Sequence, residues 1–212
     1  MENIIITGFE KFGDYKENTT EILKKFLPEL CGYHVEYLIF PVRIFGEAEQ
    51  YSQQIVKRAQ EINARAIISL GMASNVHGVR IESRAINWVE NKKYCLPEEQ
   101  EKVVNNNYLV REYKNVDLSK WNMKYIFPNL IKNRLCHEPQ ISTDAGTFCC
   151  NALIFRTLVA MTDKKCEIPY IFLHLPCTEN ASHGFPGFSK KNHIIYISEA
   201  RAILEIFANA II

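Results

Sequence analysis

The chain reads as an α/β layered domain on three observations. Short runs rich in β-branched residues alternate with longer stretches of helical apolar spacing, two of those runs end in glycine, and the composition can bury a core. Of 212 residues, 47% are hydrophobic and 23% charged, close to ordinary globular usage, so one domain spanning residues 1–212 is expected to fold alone.

Taken in order, residues 4–7 form a short buried strand that stops at Gly8, and residues 19–30 a helix with Ile22, Leu23, Phe26 and Leu27 on one face. Residues 34–41 give a second strand, 45–63 a long helix with Ile55 and Ile62 turned inward, and 66–70 a third strand closed by Gly71. Alternation over residues 79–89 predicts another extended segment. Residues 91–139 are polar and weakly patterned, which predicts loops with one short helix near Leu130. A helix over 149–161, a compact strand over 170–173 and an amphipathic helix over 198–211 complete the series.

Charge points to no polyanionic partner. Lys plus Arg number 25 against 24 Asp plus Glu, a formal net charge of +1, which leaves no footprint for nucleic acid or an anionic membrane. The first residues lack a basic leader, and no apolar run approaches the roughly 20 residues that span a bilayer, so a cytoplasmic location is expected. Seven cysteines, an odd number without framework spacing, are expected to stay mostly reduced. With no Cys-x-x-Cys pair and no histidines at helical ligand spacing, no metal site is expected.

In open α/β sheets, sites collect beyond the carboxyl ends of strands. Four segments meet that condition: 8–13, 71–73, 142–151 and 174–176. Residues 142–151 run through a glycine turn into an apolar helix, which puts Cys150 near a helix start. There the positive end of the helix dipole favours thiolate and lowers a cysteine pKa from roughly 8.5 toward neutrality. An arbitrary buried cysteine is more often a small hydrophobe. A thiolate nucleophile needs a base, and His174, driven to a strand mouth by Ile171, Phe172 and Leu173, is the best candidate, since His34, His137, His183 and His193 lie in exposed-looking segments. Glu82 could hold the imidazole in one tautomer, although a salt bridge to Arg80 or Arg84 is the plainer reading of that segment alone.

In order and local wording these segments resemble one family, the type I pyroglutamyl peptidases. Thr7-Gly8-Phe9-Glu10-Lys11-Phe12-Gly13 is similar to the family's opening Thr-Gly-Phe-x-Pro-Phe-Gly, with Lys11 in place of proline. Glu82-Ser83-Arg84-Ala85-Ile86-Asn87 resembles its Glu-Arg-x-Ala-x-Asn, and Ala145-Gly146-Thr147-Phe148-Cys149-Cys150-Asn151 matches its cysteine motif in full. His174-Leu175-Pro176 matches its His-x-Pro. The resemblance covers most of residues 1–90 and 140–212. It implies a three-layer α/β/α sandwich with a twisted mixed sheet, often a homo-oligomer, needing neither metal nor organic cofactor. It further implies Cys150 as nucleophile, His174 as acid/base, Glu82 as its orienting group, and peptides with an N-terminal pyroglutamyl residue as substrates. Phe9 and Phe12 would cover the lactam ring, with Asn18 as a polar contact nearby.

Two departures stand out. Met72 occupies a position where the family usually has an active-site glutamine, and Lys92 and Lys93 lie where it commonly has arginine. Lysine does not copy a guanidinium fork. These changes leave two rivals beside the peptidase: a divergent cysteine amidase acting on another small acyl group, and a non-catalytic homologue that binds a small ligand in the same cleft.

Overall fold

The computed structural model describes residues 1–74, 76, 78–92, 95–136, 139–182 and 194–212. Its elements, in chain order, are β1 (Asn3–Phe9), α1 (Thr19–Leu23), β2 (Glu29–Leu30), β3 (Tyr33–Phe40), α2 (Tyr51–Glu61), β4 (Ile67–Met72), β5 (Arg80–Glu82), β6 (Arg84–Ile86), β7 (Tyr113–Asn115), α3 (Met123–Lys132), β8 (Gln140–Ser142), α4 (Cys149–Asp163), β9 (Tyr170–Leu175), α5 (Glu179–Ser182) and α6 (Ile197–Ala208). Seven strands form one mixed sheet in the order β2-β3-β1-β4-β9-β5-β8. β1, β3, β4 and β9 run parallel, so residues 9, 40, 72 and 175 share one edge, while β5 lies antiparallel to β9. β6 and β7 form a separate pair.

The sheet is buried on both faces because its central strands are apolar at successive positions. Ile4, Ile6, Ile68, Leu70 and Leu173 pack on one side with residues of α1, α3 and α6. Ile5, Ile67 and Phe172 pack on the other with Ile55 of α2 and Phe155 of α4. This is the three-layer α/β/α arrangement with a mixed sheet that the resemblance implies. No helix among the described residues is long and apolar enough to cross a membrane.

Local chemistry explains where element bounds differ from expectation. The first helix gives way to a 3-10 turn at Lys24–Phe26, since Leu27 precedes a proline and Leu30 must pair with Tyr33. The second opens as a 3-10 turn at Gly46–Gln50, and it ends at Glu61, where Asn63 takes a φ of 50° and Ala64 N–H donates to Ala59 O at 2.9 Å, a Schellman-type stop. The extended run over 79–89 divides at Ser83: Glu82 belongs to the large sheet, while Arg84 pairs with Asn115 in the small one. Residues 91–139 contain α3 around Leu130 as expected, and also β7. β9 continues to Leu175, so His174 lies inside a strand rather than beyond one.

Candidate active site

His174 is fixed from both sides by strand pairing. It stands opposite Gly71 of β4 and Arg80 of β5, and alternation puts its side chain on the same face as Phe172, under α4. Phe172 meets the imidazole edge-on with ring centroids 5.1 Å apart. Glu82, register partner of Phe172, reaches diagonally across the same face, and His174 Nδ1–H donates to its Oε1 at 2.7 Å. The carboxylate is fully buried and the imidazole nearly so. With Nδ1 engaged, Nε2 faces the start of α4.

That start is set by the loop before it. Gly146 holds φ at 77°, Asp144 Oδ1 accepts from Gly146 N–H at 2.9 Å, and the Thr147 hydroxyl donates to Glu90 O at 2.6 Å. Asn151 anchors the first helical turn, accepting from Ile86 N–H at 2.8 Å and donating to Ile86 O and Trp88 O at 2.9 and 3.1 Å. Phe148, the residue before the first turn of α4, provides no side-chain cap to that turn. Cys149 turns into the apolar core, whereas half-buried Cys150 faces His174.

Gly71 forms the floor beneath this pair. A Cβ added there would lie 2.8 Å from His174 Cδ2, 3.0 Å from Nε2 and 3.0 Å from Cys150 Sγ, so ring and thiol border one point on β4. The absence of a side chain at residue 71 is what lets them meet.

The electrostatics follow from this packing. The Cys150 thiol is lowered to about 5, first by a hydrogen bond from the Cys149 thiol and then, against the cost of burial, by the charge and hydrogen bond of His174. Burial alone would depress His174, but the Cys150 thiolate and then Glu82 raise it to about 9. Burial opposes ionisation of Glu82, and the hydrogen bond and charge of His174, with Ser142 and Arg80 beside it, outweigh burial and keep the carboxyl below its usual range. At neutral pH the favoured state is therefore thiolate, imidazolium and carboxylate in a row.

A pocket of about 300 Å³ opens in front of Cys150 and His174. Phe9, Phe12, Asn18 and Met72 all line it, so every pocket residue expected from sequence is brought together with the candidate nucleophile and base. Asn18 does so while capping α1, its Oδ1 accepting from Thr20 N–H at 3.0 Å. Met72 packs with Phe12 and Tyr15. Lys92 is exposed and off the pocket wall, while Lys93, His137, His183 and His193 lie outside the described residues. Among the described residues, no cluster of three or more His, Cys, Asp or Glu could hold a metal ion.

Two wall residues, Val42 and Arg80, lie outside the four segments and went unpredicted as pocket residues. Arg80 Nε donates to Glu82 Oε1 at 2.7 Å, so the salt bridge and the histidine contact weighed as alternatives for Glu82 coexist on one oxygen. The signal was available, because residues 80 and 82 share a face of any strand. Arg84 instead donates to Thr143 O and lies over the Tyr113 ring.

A family model described as pyroglutamyl peptidase matches residues 2–197. A pyrrolidone-carboxylate peptidase of Oceanobacillus iheyensis is 26% identical over 200 residues, covering 91% of this chain and 94% of the relative. One from Pyrococcus furiosus is 26% identical over 198 residues, covering 92% and 82%. Among solved structures, the pyrrolidone carboxyl peptidase from Thermococcus litoralis superposes with a TM-score of 0.79 at 20% identity, covering 99% of this chain and 92% of that one. The Thermus thermophilus structure gives 0.75 at 18% identity, covering 98% and 100%. At these identities the structural likeness concerns the fold.

Proposed function

The chain belongs to the pyroglutamyl peptidase family, and on that premise we propose that it removes N-terminal pyroglutamate from peptides, with Cys150 as nucleophile, His174 as acid/base and Glu82 as the residue that orients the imidazole. The observation that carries this reading is the row Cys150, His174, Glu82 at the mouth of a pocket walled by Phe9 and Phe12. A flat lactam needs apolar cover over its carbons, and those two rings supply it.

In the proposed sequence the Cys150 thiolate adds to the carbonyl carbon of the pyroglutamyl residue. The oxyanion that forms accepts hydrogen bonds from first-turn N–H groups of α4. His174 Nε2–H gives its proton to the leaving nitrogen as the C–N bond breaks, leaving a thioester on Cys150. Water then yields a proton to Nε2 and its oxygen to the thioester carbon, and pyroglutamate departs as the thiolate is restored. Glu82 keeps Nδ1 protonated through both halves.

A cytoplasmic setting belongs to the same reading and is supported by seven cysteines, an odd number without framework spacing. The expected homo-oligomer is tested by light scattering. For the reaction itself, Cys150→Ser is expected to abolish release of the fluorescent amine from a pyroglutamyl-coumarin amide, and undiminished turnover would refute the assignment.

A further inference from the structure

We propose that Arg80 is a specificity-determining residue of this pocket that reads an acceptor oxygen on the acyl group of the substrate, the ring carbonyl of a pyroglutamyl residue; this rests on the peptidase reading above. Arg80 opens β5 directly opposite His174 and lines the pocket with its side chain about one-fifth exposed, at 21%. Its Nε is fixed on Glu82 Oε1 at 2.7 Å. Its Nη2 sits 3.4 Å from His174 Nδ1, but that nitrogen spends its proton on Glu82 and offers no lone pair. The terminal amino groups thus meet no carboxylate or carbonyl acceptor among the described residues.

The rest of the wall makes this supply of donors matter. Phe9, Phe12, Val42, Met72 and Phe148 present carbon and sulfur. The Asn18 amide is partly committed, with Oδ1 accepting from Thr20 N–H and one Nδ2–H donating to Glu10 O at 3.0 Å. Asp144 accepts only, and already binds Gly146 N–H. Besides His174 Nε2–H, which serves the leaving group, and the second Nδ2–H of Asn18, the side-chain donors of this wall come from Arg80, a cationic fork whose inner edge is already anchored, so docking an oxygen on it costs little further ordering. The same positive charge works against a ring that carries an ammonium. An unblocked prolyl residue has the same size as the lactam, yet brings a cation toward a guanidinium and an imidazolium.

The test compares wild type, Arg80→Met and Arg80→Lys on three coumarin amides: pyroglutamyl, cyclopentanecarbonyl, which lacks the ring oxygen, and prolyl. Binding is read as a competitive Ki wherever turnover is too slow to follow. Arg80→Met is expected to raise KM for the pyroglutamyl amide about tenfold or more, as loss of a hydrogen bond to a charged group does, and to leave cyclopentanecarbonyl binding within about twofold. Discrimination against the prolyl amide should narrow, while Arg80→Lys keeps that discrimination but recovers only part of the pyroglutamyl affinity. Equal losses on the oxygen-bearing and oxygen-free amides would overturn the assignment, reducing Arg80 to a support for Glu82 while the peptidase reading stands. A wild type that leaves the pyroglutamyl amide intact would overturn that reading itself, and this proposal with it.

Discussion

Replacing Gly71 with alanine probes the active-site geometry through a single methyl group. Residue 71 is buried in β4, and its added Cβ would sit 2.8 Å from His174 Cδ2 and 3.0 Å from both His174 Nε2 and Cys150 Sγ. Ordinary contacts begin near 3.4 Å, so the ring and the sulfur must each retreat by several tenths of an ångström, and by more where they relax to a comfortable separation. The ring has little freedom to do so, since Nδ1 is bound to Glu82 and Phe172 packs against its side. Displacement approaching 1 Å at reacting atoms costs about a hundredfold in rate, and overpacking a filled site costs about 1–3 kcal/mol of stability. Gly71→Ala should therefore fold, melt a few degrees lower, and lose about a hundredfold in kcat/KM on pyroglutamyl-coumarin amide. Iodoacetamide should also alkylate Cys150 more slowly, because the thiolate loses its imidazolium. A variant with wild-type turnover and wild-type alkylation would refute the claim that this floor sets the meeting of thiol and ring.

Other outcomes follow from the same geometry. The thiolate exists above its lowered pKa of about 5 and the imidazolium below its raised pKa of about 9. A kcat/KM profile should rise through the first and fall through the second, and a single rise near the ordinary cysteine value would contradict the ion pair. Glu82→Gln replaces the acceptor of His174 Nδ1–H with an amide, and kcat should drop by about a hundredfold or more, as when a triad carboxylate is neutralised, with the histidine pKa moving down in an NMR titration. Unchanged histidine titration would sink that account. Asn151→Ala removes three buried hydrogen bonds to Ile86 and Trp88. At about 1 kcal/mol each, the loss is about 3 kcal/mol and several degrees in Tm, and calorimetry showing no change would contradict the anchoring role.

The layered α/β class was legible because it rests on local patterns, and the pocket residues were named through the resemblance of the segments that carry them. Ile4 to Ile6 is apolar at every position, as a strand covered on both faces must be, Phe9 ends that strand, and Phe12 and Asn18 follow it before α1. The meeting of Cys150, His174 and Glu82 is different. Nothing local to any of them says that β5 runs antiparallel to β9, yet that register carries Glu82 to the imidazole and Arg80 to the pocket wall. Sequence identified the carboxylate through resemblance and treated its arginine neighbour as a competitor, whereas the structure seats both donors on one oxygen. The division at Ser83 was hidden for a related reason. Alternation runs on from 79 to 89, but the partners that split it, β7 and β8, are three-residue strands set in polar surroundings with too little pattern to detect. His174 was expected at a strand mouth because Leu173 closes the apolar run, and pairing with Gly71 and Met72 extends β9 two residues further.

The most direct test of the account is to catch the acyl group on its proposed carrier. Wild-type protein mixed with pyroglutamyl-coumarin amide and quenched in acid within the first turnover should carry one pyroglutamyl group in thioester linkage. Fragmentation of the peptide holding both adjacent cysteines should place it on Cys150. An acyl group on Cys149 or any other residue, or turnover that persists in Cys150→Ser, would contradict the account.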